Sequence, residues 1–176
     1  MRIIAYVVAA LLLFAGCAQD QPTEPAPTAK PSPTATVPSM PAAAKENTVA
    51  GAVAFVEHYI ELLNYSSDTG NIEALAEASD ATCAGCRAYT SLYETTYRNG
   101  GYFRDPGWTP SRIDPEIQVD KTLLVLASVT APGGSFREAS DSPVRKSRDE
   151  KYDLVFTPSL KNGHWVITRF SREAGQ

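Results

Sequence analysis

The amino-acid sequence predicts an α+β domain in which helices come first and an antiparallel sheet follows. Apolar residues recur at helical spacing from Val49 to about Arg98, and after Pro110 the spacing changes from about 3.6 residues to about 2. The dipeptide Asn162-Gly163 then separates two alternating segments, which is a strong signal of a β-hairpin. Helices that precede a run of strands pack on one face of the sheet. We therefore expect three N-terminal helices packed on one curved antiparallel sheet.

The chain begins with a segment typical of exported proteins. Arg2 supplies a positive charge, and residues 3–15 form an apolar run too short to span a bilayer as a stable helix. The stretch from Leu13 to Cys17 resembles the lipobox of bacterial lipoproteins, in which residues 1–16 are removed and Cys17 becomes a lipid-modified first residue. This resemblance implies a protein that is anchored to the cell membrane through lipid and faces outside the cytoplasm. A plain secretory signal and a short membrane anchor are the alternatives.

A proline-rich tether is expected between the lipidated cysteine and the folded domain, over residues 17–47. Seven of the thirteen prolines fall between Ala18 and Lys45, and large apolar residues are almost absent there. Such a composition buries too little surface to fold, and its prolines favour an extended chain that reaches roughly 85 Å. We interpret the segment as a spacer. A recognition segment, or a site of sugar attachment on its threonines, is the alternative.

The first predicted helix begins after an N-cap at Asn47 or Thr48 and ends within residues 64–67, before a turn at residues 68–70. Its predicted apolar face consists of seven residues: Val49, Ala52, Val53, Val56, Tyr59, Ile60 and Leu63. Three polar residues are predicted on the opposite face: Glu57, His58 and Glu61. His58 is therefore expected to be solvated.

Two shorter helices are expected next. The second helix runs from Asn71 to about Ser79 with three residues inward: Ile72, Leu75 and Ala76. The third runs from about Gly85 to Arg98 and is ended by glycines 100–101. Tyrosines recur every four residues along it: Tyr89, Tyr93 and Tyr97. That stripe is typical of core or half-buried surface, with a ligand wall as the alternative.

Three strands are expected in the second half of the chain. A long strand over residues 117–130 carries apolar residues on both faces and ends at Pro132-Gly133-Gly134. Residues 151–157 and 164–170 alternate in polarity and form the two arms of the predicted hairpin. Residues 140–150, which are polar and mixed in charge, are expected to form a wide loop.

The order of these elements resembles the nuclear transport factor 2-like fold, a cone-shaped α+β domain. The last predicted strand includes Gly163-His164-Trp165-Val166-Ile167, and a Gly-x-Trp-x-Ile pattern is frequent in the final strands of that fold. The resemblance covers Thr48 to Arg172, so we predict a domain over residues 48–172 and a tail over residues 173–176. It also implies a homodimer formed through apolar residues on the outer face of the sheet: Leu124, Leu126 and Val155.

More narrowly, the chain is similar to a family of actinobacterial lipoproteins of unknown function. The similarity consists of the lipobox, the Pro-Thr tether, the pair Met40-Pro41, the helix from Phe55 to Tyr65 and the motif Cys83-Ala84-Gly85-Cys86. This resemblance implies no activity.

Charge and cysteine content narrow the classes of function. The formal net charge is −4 with both signs mixed along the chain, so no nucleic acid partner is expected. Once Cys17 is lipidated, Cys83 and Cys86 are an even pair, for which we expect a structural disulfide; a redox-active pair and a metal site are the alternatives. The two histidines, His58 and His164, lie on separate predicted elements. We therefore expect no metal and no cofactor.

The first functional hypothesis is a non-enzymatic envelope protein whose domain binds a small ligand or a partner protein. The sequence has neither a Gly-x-Ser-x-Gly motif nor a phosphate loop. A cavity between helices and sheet would be the ligand site, and its predicted lining is aromatic: Tyr59, Tyr93, Tyr97, Phe103, Trp108 and Trp165. The alternative for these side chains is that they fill the domain interior. Two other functions are considered, an extracytoplasmic thiol-disulfide protein using Cys83 and Cys86, and a small cone-fold enzyme.

Overall fold

The computed structural model describes residues 35–174, and the expected signal peptide and Cys17 lie outside these residues. The helices are α1 (Val49–Thr69), α2 (Glu73–Glu77) and α3 (Ala84–Arg98), preceded by a short 3-10 helix at Ala43–Lys45. The strands are β1 (Gly100–Arg104), β2 (Thr109–Ile117), β3 (Leu123–Ala131), β4 (Ser135–Ala139), β5 (Arg145–Lys146), β6 (Glu150–Lys161) and β7 (His164–Ala174). This order confirms the predicted α+β class. Within residues 35–174, no helix is both long and apolar enough to cross a membrane.

The strands form two antiparallel sheets, where we expected one. The larger sheet has the order β2-β3-β6-β7 and the smaller has the order β1-β4-β5. Helices α1 and α3 pack on the inner face of the larger sheet. Five buried residues of β3 and β6 belong to its core: Val125, Ala127, Val129, Leu154 and Phe156. On the outer face, Leu124, Leu126 and Val155 are half-buried, and dimerisation through them stays a prediction.

Helix α1 begins at its predicted N-cap, because Thr48 Oγ1 accepts a 2.9 Å hydrogen bond from the Gly51 backbone amide. It ends later than predicted, with Gly70 in the left-handed conformation at φ 74°. Its buried residues cover about 200° of the helix circumference and are centred near Tyr59. The predicted apolar face was centred near Val56, about 60° away around the helix.

The prediction that His58 is solvated is wrong, since the residue is only 3% exposed. The chain before α1 folds back on the helix and covers the flank of α1 on which His58 lies. The 3-10 helix packs against α1, and Thr36 and Pro38 line a cleft together with Tyr65. Tyr65 lies only about 20° from His58 around the helix, so both residues belong to the covered flank.

Helix α2 is shorter than predicted and buries a partly different set of residues. Leu75 is buried as predicted, but Ala76 is exposed and Ala78 is buried in its place. The helix ends after five residues, and the Ala78 carbonyl then accepts a 3.0 Å hydrogen bond from the Ile167 amide of β7. Helix α3 begins within one residue of its predicted start, after an N-cap at Cys83.

The prediction of one long strand over residues 117–130 is wrong, because this region contains the end of β2, a turn and β3. The Gln118 amide donates a 2.9 Å hydrogen bond to the Thr122 carbonyl across the turn. Most of β2 was not predicted, because Pro110 and Pro115 interrupt its pattern. The strand lies at the edge of the larger sheet, where proline is tolerated.

The smaller sheet was not predicted, because its strands are short and rich in glycine, serine and arginine. Strand β1 begins at Gly100, where we expected only the end of a helix. Strand β5 lies within residues 140–150, which we expected to be a wide loop, and it pairs with the start of β4. A Cβ atom at Gly101 would lie 2.2 Å from the Arg137 carbonyl oxygen, so β1 and β4 approach closely only because this residue is glycine.

The hairpin of β6 and β7 confirms the prediction made from its turn dipeptide. Asn162 and Gly163 have φ values of 51° and 81°, and the flanking residues Lys161 and His164 pair with each other. Both arms are longer than predicted. A register shift just before Pro158 bends β6 within the longer arm.

The interior between the helices and the larger sheet is filled by side chains. Tyr59 is fully buried, and its ring centroid lies 5.8 Å from that of Phe156 and 6.2 Å from that of Phe170. Residues before the expected domain start at position 48 also join this interior, since Ala44 is buried within the core. The folded unit therefore includes part of the segment that precedes α1.

Candidate functional site

The structure places the six predicted lining residues in different regions. Tyr93, Phe103 and Trp108 line one pocket of about 210 Å³. Tyr59 belongs to the filled core, with no exposed surface. The Tyr97 hydroxyl lies 2.7 Å from both the Ser67 and the Asp68 carbonyl oxygens, which share its one donor proton, and it does not line this pocket. Trp165 lies in a separate cleft beside the β6–β7 turn.

The pocket lies between α3, the smaller sheet and one end of the larger sheet, and other side chains, such as Asn64 and Leu92, line it together with six aromatic rings. The term aromatic pocket refers to this pocket and its six rings: Tyr89, Tyr93, Phe103, Trp108, Phe136 and Tyr152. The centroids of Tyr89 and Trp108 are 5.7 Å apart with nearly perpendicular rings, and those of Tyr93 and Phe103 are 5.6 Å apart in the same arrangement. Such pairs hold each ring in a fixed orientation.

Trp108 is positioned by a side chain of α1. The side-chain Nδ2 of Asn64 donates a 2.9 Å hydrogen bond to the Trp108 backbone carbonyl. The side-chain Oδ1 of Asn64 accepts a 2.7 Å hydrogen bond from the Trp108 backbone amide. Gly107 has a φ of 82°, and a Cβ atom there would lie 2.8 Å from the Asn64 side chain. Asp105 closes the turn, since its carboxylate accepts a 2.9 Å bond from the Gly107 amide. Asn64 and this turn therefore fix one side of the pocket.

Sequence reasoning missed this arrangement. The dipeptide Pro106-Gly107 after an aspartate is a recognisable turn signal, and it could have located the bend before Trp108. Asn64 gave no comparable signal, because its two hydrogen bonds join residues 44 positions apart. Tyr152 and Phe136 were also missed as lining residues.

Charged side chains surround the opening of the aromatic pocket and are exposed to solvent. Two are acidic and two are basic: Asp105, Glu150, Arg148 and Arg172. The Arg172 guanidinium lies 4.5 Å from the centroid of the Tyr152 ring, within the range of a cation–π contact. The pocket therefore has an apolar wall and a charged rim of mixed sign.

The titratable groups in the wall are tyrosines that remain protonated at neutral pH. Burial raises the pKa of Tyr93, and burial also raises that of Tyr89, against the opposing effect of the Arg172 charge. Such hydroxyls can donate hydrogen bonds to a ligand but are poor bases. Among the described residues that line the pocket, no histidine or cysteine and no buried carboxylate is found.

The cysteine pair forms a disulfide at the start of α3. Both residues are buried, with 1% and 0% exposure, and the Cys86 sulfur lies 3.8 Å from the Ile167 carbonyl oxygen of β7. A thiol reagent in solvent therefore has no direct access to either sulfur in the folded domain. This position agrees with a structural disulfide.

Histidine and acidic residues do not assemble into a metal site in the described part of the chain. His58 is buried, and its Nδ1 lies 3.6 Å from the carboxylate of Glu61, which is itself mostly exposed. His164 lines the cleft beside the hairpin turn, together with Trp165 and Met40. Over residues 35–174, no group of three or more histidine, cysteine, aspartate or glutamate side chains is placed to hold a metal ion.

The fold is similar to that of solved structures at low sequence identity. The intermembrane space region of the chloroplast protein ARC6 matches with a TM-score of 0.53 and 16% identity, over 74% of this chain and 99% of that chain. An uncharacterised protein with a cystatin-like fold from Caulobacter vibrioides matches with a TM-score of 0.48 and 11% identity, over 72% and 91% of the two chains. An NTF2-like protein of unknown function from Prochlorococcus marinus matches with a TM-score of 0.42 and 10% identity, over 69% and 93%.

Like the narrower resemblance found in the sequence, the comparison with family models leads to a family of unknown function. No curated protein shows significant similarity to the chain. The family model described as "Family of unknown function (DUF6318)" matches residues 23–171, which is most of the chain. The chain therefore belongs to the DUF6318 family of unknown function.

Proposed function

We propose that this protein is a lipid-anchored protein of the cell envelope whose domain binds a small planar ligand without catalysing a reaction. The observation that carries the ligand-binding part is the aromatic pocket, an apolar recess rimmed by exposed charges. The anchoring part rests on the lipobox-like stretch ending at Cys17, outside the described residues.

The dimensions and lining of the pocket indicate the class of ligand. A volume of about 210 Å³ is below the usual range for drug-sized ligands, so it fits a compound of one or two rings. Ring faces and edges on the wall favour a planar apolar body. The hydroxyls of Tyr89 and Tyr93 offer donors for a carbonyl or hydroxyl group on the same ligand.

The same features support binding over catalysis. A small cone-fold enzyme needs a buried pair of ionisable groups near the reacting atoms. In the aromatic pocket, the described carboxylates and guanidinium groups all lie on the exposed rim. The tyrosine hydroxyls of Tyr89 and Tyr93 are neutral at physiological pH, and burial raises their pKa further.

The two tryptophans of the chain provide a direct test, because one lies in the aromatic pocket and the other lies elsewhere. Each indole N–H gives one peak in a ¹H–¹⁵N spectrum, and a Trp165→Phe variant assigns them. On titration with phenol, benzamide or indole, we expect the Trp108 peak to shift in a saturable way. The Trp165 peak should stay in place.

A variant of the wall separates specific binding from non-specific contact. Tyr89→Ala removes a ring that contacts Trp108, and we expect at least about ten-fold weaker binding, or about 1.4 kcal/mol. Val49→Ala, an exposed position on α1, should leave the affinity unchanged. Shifts confined to Trp165, or no saturation up to the solubility of every compound, would show that the aromatic pocket is not a ligand site.

A further inference from the structure

The outer face of the smaller sheet concentrates positive charge. Tyr102 pairs with Arg137 across β1 and β4, and Arg104 pairs with Ser135, which in turn pairs with Lys146 of β5. Residues that are directly paired, or two apart on one strand, share a face of a sheet. The term basic face refers to the three cations and the ring on this side: Arg104, Arg137, Lys146 and Tyr102.

Two of these cations contact the same aromatic ring. The Arg104 guanidinium lies 4.9 Å from the centroid of Tyr102, and that of Arg137 lies 5.1 Å from it. Both distances are within the range of cation–π contacts. The ring therefore contacts both guanidinium groups, although their like charges repel each other.

No carboxylate forms an ion pair with these cations within the described part of the chain. Arg104, Arg137 and Lys146 form no ion pair there, and the buried Nε of Arg137 has no hydrogen-bond partner among those residues. Arg145 shows the contrast, since it lies on the opposite face and contacts Glu138 at 3.4 Å. In a chain with a net charge of −4, an unpaired basic cluster is a local exception.

We propose that the basic face binds a linear polymer that carries phosphate groups. Two guanidiniums contact one ring, and Lys146 lies on a strand about 10 Å from that of Arg104, so the three cations can contact successive anionic groups along such a chain. Phosphate suits this site because guanidinium forks match its oxygen atoms with paired hydrogen bonds.

The overall charge favours a polymer over a membrane surface as the occupant. An anionic bilayer is an extended negative surface, and it would also repel the rest of a chain whose net charge is negative. A linear polyanion contacts only the local cluster. The proposal is independent of the aromatic pocket, which lies on the opposite side of the smaller sheet, against Phe103 and Phe136.

The test is the affinity of the full chain, kept in mild detergent, for fluorescently labelled inorganic polyphosphate, measured by anisotropy at two salt concentrations. Arg104 and Lys146 are exposed, so Arg104→Gln with Lys146→Gln should leave the fold intact. We expect this double variant to bind roughly ten-fold more weakly and to show a reduced salt dependence. A matched double variant removes two exposed lysines outside the basic face, one in the β2–β3 turn and one on β6, by Lys121→Gln and Lys151→Gln, with the same change in net charge.

Two outcomes would overturn the proposal. One is an equal loss of affinity in both double variants, which would reflect net charge alone. The other is a basic-face variant that keeps its affinity for polyphosphate but loses binding to phosphatidylglycerol vesicles, which would assign the face to the membrane. A large loss in the basic-face variant alone, with weaker binding of polyglutamate than of polyphosphate, would support it.

Discussion

At the scale of single residues, Tyr59 shows how the domain interior is organised. Its hydroxyl lies 2.8 Å from Ser79 Oγ, which itself donates a 2.7 Å hydrogen bond to the Leu75 carbonyl. Tyr59 is therefore the donor in the first bond, and this chain links α1 to the residues that follow α2. Burial raises the pKa of Tyr59 to about 12.

This pKa predicts how stability changes with pH. Between about pH 10 and 12 the native domain keeps the Tyr59 proton while the unfolded chain releases it, so the free energy of unfolding falls as pH rises. The contribution of this residue is about 1.4 kcal/mol per pH unit. Tyr59→Phe should cost about 1 kcal/mol at pH 7 and make the alkaline decline shallower. Urea unfolding at several pH values measures both effects, and parallel curves for the two proteins would contradict this assignment.

At the scale of elements, the first turn of α3 is fixed tightly against β7. The Cys83 sulfur accepts a 3.2 Å hydrogen bond from the Cys86 amide, and the disulfide closes this turn. A Cβ atom at Gly85 would lie 1.9 Å from the Phe170 carbonyl oxygen, so the helix backbone touches the strand directly. The disulfide therefore closes the turn of α3 whose backbone contacts β7.

The position of the disulfide predicts a structural role. Because the closed loop spans only a few residues, Cys83→Ala with Cys86→Ala should lower the free energy of unfolding by about 2 kcal/mol through chain entropy, plus the packing lost at two buried sites. In the native wild-type domain, dithiothreitol should leave both thiols unavailable to iodoacetamide until urea unfolds the chain. Rapid alkylation under native conditions would instead favour a thiol-disulfide function.

Sequence patterns predicted elements whose signals are local. The Thr48 cap and the Asn162-Gly163 turn are examples, because neighbouring residues determine each of them. The smaller sheet could not be predicted in this way, since its stability depends on pairing between strands over 30 residues apart in sequence, such as Gly100 with Ala139. His58 was misplaced for the same reason, because the segment that covers its flank lies before the helix.

The candidate site was predictable in composition but not in arrangement. Large aromatic residues indicated a pocket wall, and Tyr93, Phe103 and Trp108 do meet in one place. Helical spacing could not show that Tyr97 turns its hydroxyl towards the α1 carbonyls instead. Nor could it show that Asn64 holds Trp108, because that contact depends on the tertiary fold.

At the scale of the whole molecule, the described domain occupies residues 35–174 and the proposed anchor lies before it. The segment between Cys17 and residue 35 has seventeen residues, which reach about 50 Å if extended as polyproline II. Under the proposed lipid anchor, such a tether would let the domain bind ligands at a distance from the membrane while it stays attached.

The anchor itself is testable without any knowledge of the ligand. In a bacterial host that processes lipoproteins, cells fed a labelled fatty acid should transfer the label to the wild-type chain. Cys17→Ala should abolish this labelling, because it removes the only thiol at the proposed attachment site. The variant lacking Cys83 and Cys86 should remain labelled, and label that persists in Cys17→Ala would refute the lipid anchor.

The placement of the prolines in β2 has a consequence for proteins displayed at high density. An edge strand exposes backbone donors and acceptors that can recruit a strand from a neighbouring copy. Pro110 and Pro115 each lack a backbone N–H, so β2 offers an incoming strand an interrupted row of donors. If the proposed anchor crowds copies of the domain on one surface, these prolines would oppose their edge-to-edge pairing.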